Sequence, residues 1–127
     1  MLRVLIADDE QVIADSLAAI LGHFGYETTA AYDGKTALEK AGIFEPDFVV
    51  TDVMMPVMNG IELAIQIGEI LPGCKVILFS GMAATSDLVE DAKSRGHYFE
   101  VLAKPVQPKV LLAYLTGAVS GLDHSSP

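Results

Sequence analysis

Six residues of this chain carry side chains suited to chemistry, and each lies just past a short apolar run. Asp8, Asp9 and Glu10 follow Val4 to Ala7, Asp52 ends the run from Phe48 to Thr51, Ser80 closes Val76 to Phe79, and Lys104 follows Phe99 to Leu102. Neighbouring strands lie about 5 Å apart, so residues that end adjacent parallel strands share one pocket. That pocket would hold two or three carboxylates, a hydroxyl and an ammonium. Clustered carboxylates repel one another, so either their proton affinities rise or a cation binds. Oxygen-only ligation suits a hard ion, and Mg²⁺ uses one or two carboxylates with waters and a phosphate. A carboxylate is also a nucleophile toward phosphorus, giving an aspartyl phosphate. A metal, a lysine and a hydroxyl or backbone donor would neutralise the transferring phosphoryl oxygens.

These residues need elements that bring them together. Arg3 to Ala7 shows no alternation of apolar and polar residues, which predicts a strand buried on both faces. Ile13, Leu17, Ile20, Leu21 and Phe24 recur at helical spacing, and Gly25 is a stop signal. Thr28 to Tyr32 is β-prone, Lys35 to Ala41 reads as a short helix, and Phe48 to Thr51 is a third strand. Met54 to Gly60 contains Pro56, Asn59 and Gly60, the residues of a loop. A helix from Ile61 to Leu71 ends at Pro72-Gly73, and Val76 to Phe79 is the fourth strand. Ser86 or Asp87 caps a helix to Arg95, Phe99 to Leu102 is the fifth strand, and Pro108 opens a last helix to about Val119. Strand then helix, five times over, predicts an α/β fold: a doubly wound parallel sheet with helices on both faces. Such sheets bind ligands beyond the carboxyl ends of their strands.

The motifs Val4-Leu5-Ile6-Ala7-Asp8-Asp9-Glu10, Thr51-Asp52-Val53-Met54-Met55-Pro56 with Asn59-Gly60, Phe79-Ser80-Gly81 and Ala103-Lys104-Pro105 occur in that order, each at a strand end. Together they resemble the response-regulator receiver domain, the flavodoxin-like fold of the chemotaxis response regulator, over about residues 2 to 120. The resemblance implies five strands in the order 2-1-3-4-5 with five helices. It implies Asp52 as phosphoacceptor, Asp9 and Asp52 with the Met54 carbonyl as direct Mg²⁺ ligands, and Asp8 acting through a metal-bound water. Lys104 would pair with the phosphoryl group, Ser80 would move to bond it, and Lys104-Pro105 matches the family's cis peptide. The implied phosphodonor is a sensor histidine kinase or a histidine phosphotransfer protein. Phosphorylation would shift a two-state equilibrium of the Ser80 loop and the region from about Ala83 to Lys109, changing the surface offered to a downstream effector.

Two departures from the family pattern stand out. The switch-aromatic position, three before the lysine, holds Val101, while Tyr98 and Phe99 lie two or three places away. Side chains alternate along a strand, so only an even shift keeps the face. Gly96 to Lys104 is also about one residue longer than the common pattern. Met54 and Met82, two places after Asp52 and Ser80, occupy positions that influence the hydrolytic water in this family, and methionine offers it no strong donor or acceptor. Slow loss of the phosphoryl group is the expectation.

Composition narrows the field further. The chain has 127 residues, 51 % of them hydrophobic, which suits one domain with a real core and excludes disorder. Residues 1–120 read as the receiver and 121–127 as a polar tail, with any output function elsewhere. A net charge of −9 opposes direct nucleic-acid binding. Cys74 is the one cysteine, an incidental loop thiol, so no internal disulfide is available and a cytoplasmic setting is expected. No apolar stretch near the N-terminus is long enough for a signal peptide or membrane span. Glu10 reads as a peripheral first-turn helix acid, and His23, His97 and His124 as surface residues without metal-site spacing. Met54, Met55 and Met58 read as loop packing rather than a copper site. Most apolar residues of the last helix belong to core packing; one flank remains as a candidate partner or weak homodimer surface.

Three other functions compete with a phosphoacceptor switch. A haloacid-dehalogenase-like phosphatase also uses an aspartate nucleophile, but it wants an aspartate two places further on, where Met54 stands, and Glu10 follows Asp8 only as a glutamate. A phosphorylation-independent, receiver-like interaction module would suit Val101 but not the full pocket. A flavin carrier would need a hydroxyl-rich phosphate loop after the first strand, where the acids stand.

Overall fold

The structure, a computed structural model, describes residues 2–81 and 85–121. Strands and helices alternate: β1 (Arg3–Ala7), α1 (Gln11–His23), β2 (Glu27–Ala31), α2 (Gly34–Phe44), β3 (Phe48–Asp52), α3 (Gly60–Ile70), β4 (Lys75–Ser80), α4 (Thr85–Ser94), β5 (Glu100–Ala103) and α5 (Pro108–Gly121). The strands form one parallel sheet in the order β2-β1-β3-β4-β5. The doubly wound, flavodoxin-like arrangement is the predicted one.

Parallel crossovers put helices on both faces, which explains the unbroken apolar runs of β1 and β3. Val4 to Ala7 are entirely buried. Alternate residues divide them between two layers. Val4, Ile6, Val50 and Phe79 pack with Leu17 and Leu21 of α1 and Leu111 and Leu115 of α5. Leu5, Ala7 and Val49 pack with Ala37 and Ala41 of α2 and Leu63 and Ile67 of α3. A third cluster joins Leu78 to Ile61 and Ala64 of α3 and Ala92 of α4.

Several boundaries differ from the sequence reading. β2 begins at Glu27 rather than Thr28, and Tyr32 lies beyond its end, because Glu27 N–H already pairs with the Leu2 carbonyl. α2 continues past Ala41 through Gly42 and stops when Glu45 turns left-handed, with φ 50°. β5 is shifted one residue, to Glu100–Ala103, by its pairing with Ile77 to Ser80. α4 starts at Thr85, ahead of the expected Ser86 or Asp87 cap, and α5 runs on through Gly121. Met82, Ala83, His124 and residues 122–127 of the expected tail lie outside the described residues.

Two helix starts next to the carboxyl edge of the sheet are pinned by their caps. Asn59 and Glu62 form a reciprocal capping box at α3, with bonds of 2.9 and 3.0 Å. At α2, Asp33 accepts from Thr36 N–H at 2.7 Å and from the Thr36 hydroxyl at 3.0 Å. These bonds, the backbone one foremost, hold the Asp33 carboxyl below its ordinary value. A depressed folded value means that the stabilisation is complete above the unfolded pKa of about 3.9 and is lost as pH falls through the folded one. Asp33→Ala is therefore expected to cost about 1 kcal/mol at neutral pH. In urea melts its difference from wild type should shrink as the pH drops below the ordinary aspartate range.

Candidate functional site

Register decides which acids meet. Ala7 of β1 pairs with Thr51 of β3, so Asp8 and Asp52 leave the sheet at one level. Asp52 pairs with Phe79, and Ser80 with Ala103, which sets Lys104 one step further along the same edge. Asp52 and Lys104 follow the alternation of Val50 and Leu102, which face α1 and α5. Lys104 Nζ lies 3.0 Å from Asp52 Oδ2 and 3.2 Å from Asp8 Oδ2. It also sits 5.3 Å from the centre of the Phe79 ring, within cation–π range. Asp52 Oδ1 accepts from Met54 N–H at 3.2 Å, and Asp8 Oδ1 from Glu10 N–H at 2.8 Å.

Asp8 is fully buried, Asp52 is 6 % exposed and Asp9 is open to solvent. Ligand oxygens of these three acids all lie within 4.8 Å of one another. Lys104 approaches Asp8 Oδ2 without hydrogen-bond geometry, which leaves Oδ2 a buried oxygen lacking a hydrogen-bond donor among the described residues. Above the acids opens a cleft of about 430 Å³ lined by Asp9, Glu10, Asp52, Met54, Gly81 and Lys104.

Burial is the main influence on Asp8 and pushes its carboxyl up; the Glu10 N–H bond and Lys104 oppose this, and the Asp52 charge adds to it. Burial would pull the Lys104 ammonium down. The hydrogen bond and charge of Asp52, then the nearby charge of Asp8, outweigh it and hold Lys104 above its ordinary value. The pocket therefore carries a firmly charged cation beside one carboxylate that ionises at a cost.

Two backbone approaches hold the site together. A Cβ on Gly60 would stand 2.1 Å from the Asp52 carbonyl oxygen, so only glycine lets α3 start against the strand end. A Cβ on Gly81 would stand 3.2 Å from Lys104 Cβ. The Lys104–Pro105 peptide is cis.

Other residues singled out in the sequence fall into varied settings. Ser80 ends β4 half-buried, on the face shared with Leu78, and its carbonyl accepts from Lys104 N–H at 2.9 Å. Val101 is 39 % exposed on the edge strand. Phe99, an even step away, packs against the Leu78 and Ala92 cluster, while Tyr98 points to solvent. Glu10 is less peripheral than the sequence implies. It stands at the α1 N-cap without a capping side-chain bond, and its Oε1 is 3.8 Å from Lys104 Nζ. Only its position at the mouth of the cleft, a matter of loop path, reveals this. His23 is exposed, but His97 is half-buried and stacked on Phe99 at 6.4 Å. Burial, with a smaller contribution from Asp47, pushes the half-buried Cys74 thiol up to about 12. Met55 and Met58 pack into the α2/α3 layer, whereas Met54 is 45 % exposed.

A parallel sheet in this order, with an acidic cleft and a lysine at its carboxyl edge, defines a receiver fold. The chain belongs to the response regulator receiver domain family, which it matches over residues 4–116. It is 37 % identical to the chemotaxis protein CheY of Thermotoga maritima over 107 residues, 84 % of this chain and 88 % of that protein. It is 40 % identical to the transcriptional regulatory protein PdtaR of Mycobacterium tuberculosis over 121 residues, 93 % of this chain but only 57 % of that protein. Among solved structures, a CheY-like receiver domain protein from Methanospirillum hungatei superposes with a TM-score of 0.85 at 27 % identity, covering 99 % of both chains. A receiver domain protein from Clostridium thermocellum gives 0.84 at 26 % identity, covering 99 % of this chain and 100 % of that one. The domain is thus a signalling module of the two-component type rather than a conventional enzyme.

The raised Asp8 value makes a testable statement about stability. Its native state binds a proton more tightly than the unfolded chain, so the carboxylate detracts from stability once the pH has risen through the folded value. Asp8→Asn keeps the acceptor for Glu10 N–H and removes the buried charge. In the absence of divalent metal it is expected to unfold at higher urea than wild type at neutral pH, with the gap closing toward the ordinary aspartate range. A variant less stable than wild type at neutral pH would contradict this.

Proposed function

We propose that this domain accepts a phosphoryl group on Asp52 from the phosphohistidine of a sensor histidine kinase or a histidine phosphotransfer protein, with Mg²⁺ as cofactor. The observation that carries the reading is Lys104 Nζ placed 3.0 Å from Asp52 Oδ2 at the floor of an acidic cleft. An Asp52 oxygen attacks phosphorus, the new O–P bond forms as the N–P bond of the donor breaks, and the leaving imidazole takes up a proton. Lys104, charged at neutral pH, neutralises a phosphoryl oxygen through the transfer. The Ser80 hydroxyl, at the next strand end, bonds the phosphoryl group afterwards.

The donor set fits the metal. Asp8, Asp9 and Asp52 offer oxygen only, as hard divalent ions prefer, and the buried Asp8 Oδ2 lacks a hydrogen-bond donor. Asp9, Asp52 and the Met54 carbonyl would hold the ion directly, with Asp8 acting through a bound water. When bound, the ion supplies charge neutralisation to the phosphoryl oxygens. Phosphorylation would then alter the surface carrying Val101, Val110 and Tyr114, which are already exposed, for a downstream effector or a weak homodimer. A kinase-fed domain works in the cytoplasm; no described helix is long and apolar enough to cross a membrane. The net charge of −9 argues against nucleic acid as a direct ligand.

Val101, an exposed aliphatic residue at the switch-aromatic position, favours one competing reading, a receiver-like module that works without phosphate. Incubation with Mg²⁺ and acetyl phosphate, followed by intact-mass measurement, separates them. Wild type should gain one phosphoryl mass and Asp52→Asn none. No gain by wild type supports the phosphate-independent module, equal labelling of both rejects Asp52, and sustained release of inorganic phosphate points to a phosphatase.

The phosphoryl lifetime follows from Met54. Half exposed over the cleft, it has no polar group with which to orient a water. The purified phosphorylated domain is expected to keep its label for minutes or longer, and loss within seconds would contradict this. Met54→Asn, which adds an amide, should shorten the lifetime.

A further inference from the structure

The loop from Asp52 to α3 holds a residue that its backbone does not favour. Met58 N–H donates to the Pro56 carbonyl at 2.8 Å, closing a three-residue turn centred on Val57. Val57 has φ 70°, the left-handed region, where a β-branched side chain is strained. Its side chain is 101 % exposed, so no packing against the described residues compensates for the strain. The turn itself is dictated by its flanks. Met55 is buried. Met58 lies so close to Gly34 that a Cβ there would be 2.7 Å from its carbonyl oxygen, and Gly60 abuts the Asp52 carbonyl. The loop must therefore bend at residue 57, and glycine would bend there without strain.

Strain maintained at an exposed position in the loop that leaves a reactive carboxylate points to use by something outside the domain. Asp52 is 6 % exposed and opens onto the cleft, so a protein that delivers a phosphoryl group must lay its surface across the surrounding loops. Met54, 45 % exposed, lies in the same loop and lines that cleft. Resting on the phosphoacceptor reading, we propose that Val57, with Met54 of the same loop, is an apolar contact for the protein that carries the phosphohistidine, and that the turn holds its side chain out for that docking. The partner surface it fits is an apolar patch next to the donor histidine. A small phosphodonor has no such surface and would not register residue 57.

The test compares wild type, Val57→Gly and Val57→Asn, since asparagine also tolerates the left-handed region. Two donors are used: phosphoramidate, which has the same N–P bond, and an autophosphorylated histidine-kinase core selected for transfer to the wild-type domain. Val57→Gly should melt at higher temperature than wild type, and both variants should be labelled by phosphoramidate with Mg²⁺ at the wild-type rate. Transfer from the kinase core should fall roughly tenfold in kcat/KM, as for loss of one buried aliphatic side chain at an interface, with the change in KM. Equal kinase transfer to all three proteins would overturn the proposal, as would a lower melting temperature for Val57→Gly. An equal fall with both donors would place residue 57 in the chemistry and overturn it too. If wild type is labelled by neither donor, the phosphoacceptor reading fails, and the docking role with it.

Discussion

One ammonium holds the carboxyl edge of this domain together. Lys104 is the cation shared by Asp8 and Asp52, at 3.2 and 3.0 Å, and it reaches toward Glu10 as well. Asp8 and Asp52 leave neighbouring strands at one level, and without a counter-charge two such buried carboxylates could not both ionise cheaply. Even with Lys104, Asp8 retains an oxygen with no hydrogen-bond donor and a carboxyl pushed up by burial. Lys104 thus compensates the carboxylates only in part. Asp8, Asp9 and Asp52 are grouped closely enough to hold a divalent cation, which would offset the negative charge that Lys104 leaves.

The scaffold serves this arrangement through close backbone contacts. β1, β3 and β4 are fixed by two apolar layers, and their register brings the acids level with one another. Gly60 lets α3 begin against the Asp52 carbonyl, and the Asn59–Glu62 capping box fixes where that helix starts. The β3–α3 loop is therefore short and tightly tied at both ends. The left-handed turn at Val57 is a consequence of the same constraint, so the rigidity that positions Asp52 also sets the outer surface of the cleft.

The fold was largely legible because its local signals agree. Unbroken apolar strands, helix stops at Gly25 and Gly96, and Pro108 at the start of α5 each point to the same alternation. Boundaries shifted where tertiary pairing overrode local preference. Gly42 stays helical in α2, and β5 slides by one residue to match β4. His97 looked like a surface residue, yet it stacks on Phe99, which itself packs against α3 and α4 residues. Glu10 looked peripheral because its neighbours in sequence are helical. Only the path of the β5–α5 connection brings Lys104 within 3.8 Å of it.

The sequence by itself determined the class of fold, the strand ends that carry acids, hydroxyl and lysine, and the family to which they belong. Periodicity and spacing encode these because they are local. Tertiary structure decided which of those groups touch, which oxygen lacks a hydrogen-bond donor, that Phe99 rather than Tyr98 turns inward, and that Val57 is driven into the left-handed region. Those outcomes depend on register between strands distant in the chain and on helices seated on glycine backbones, which no window of neighbouring residues contains.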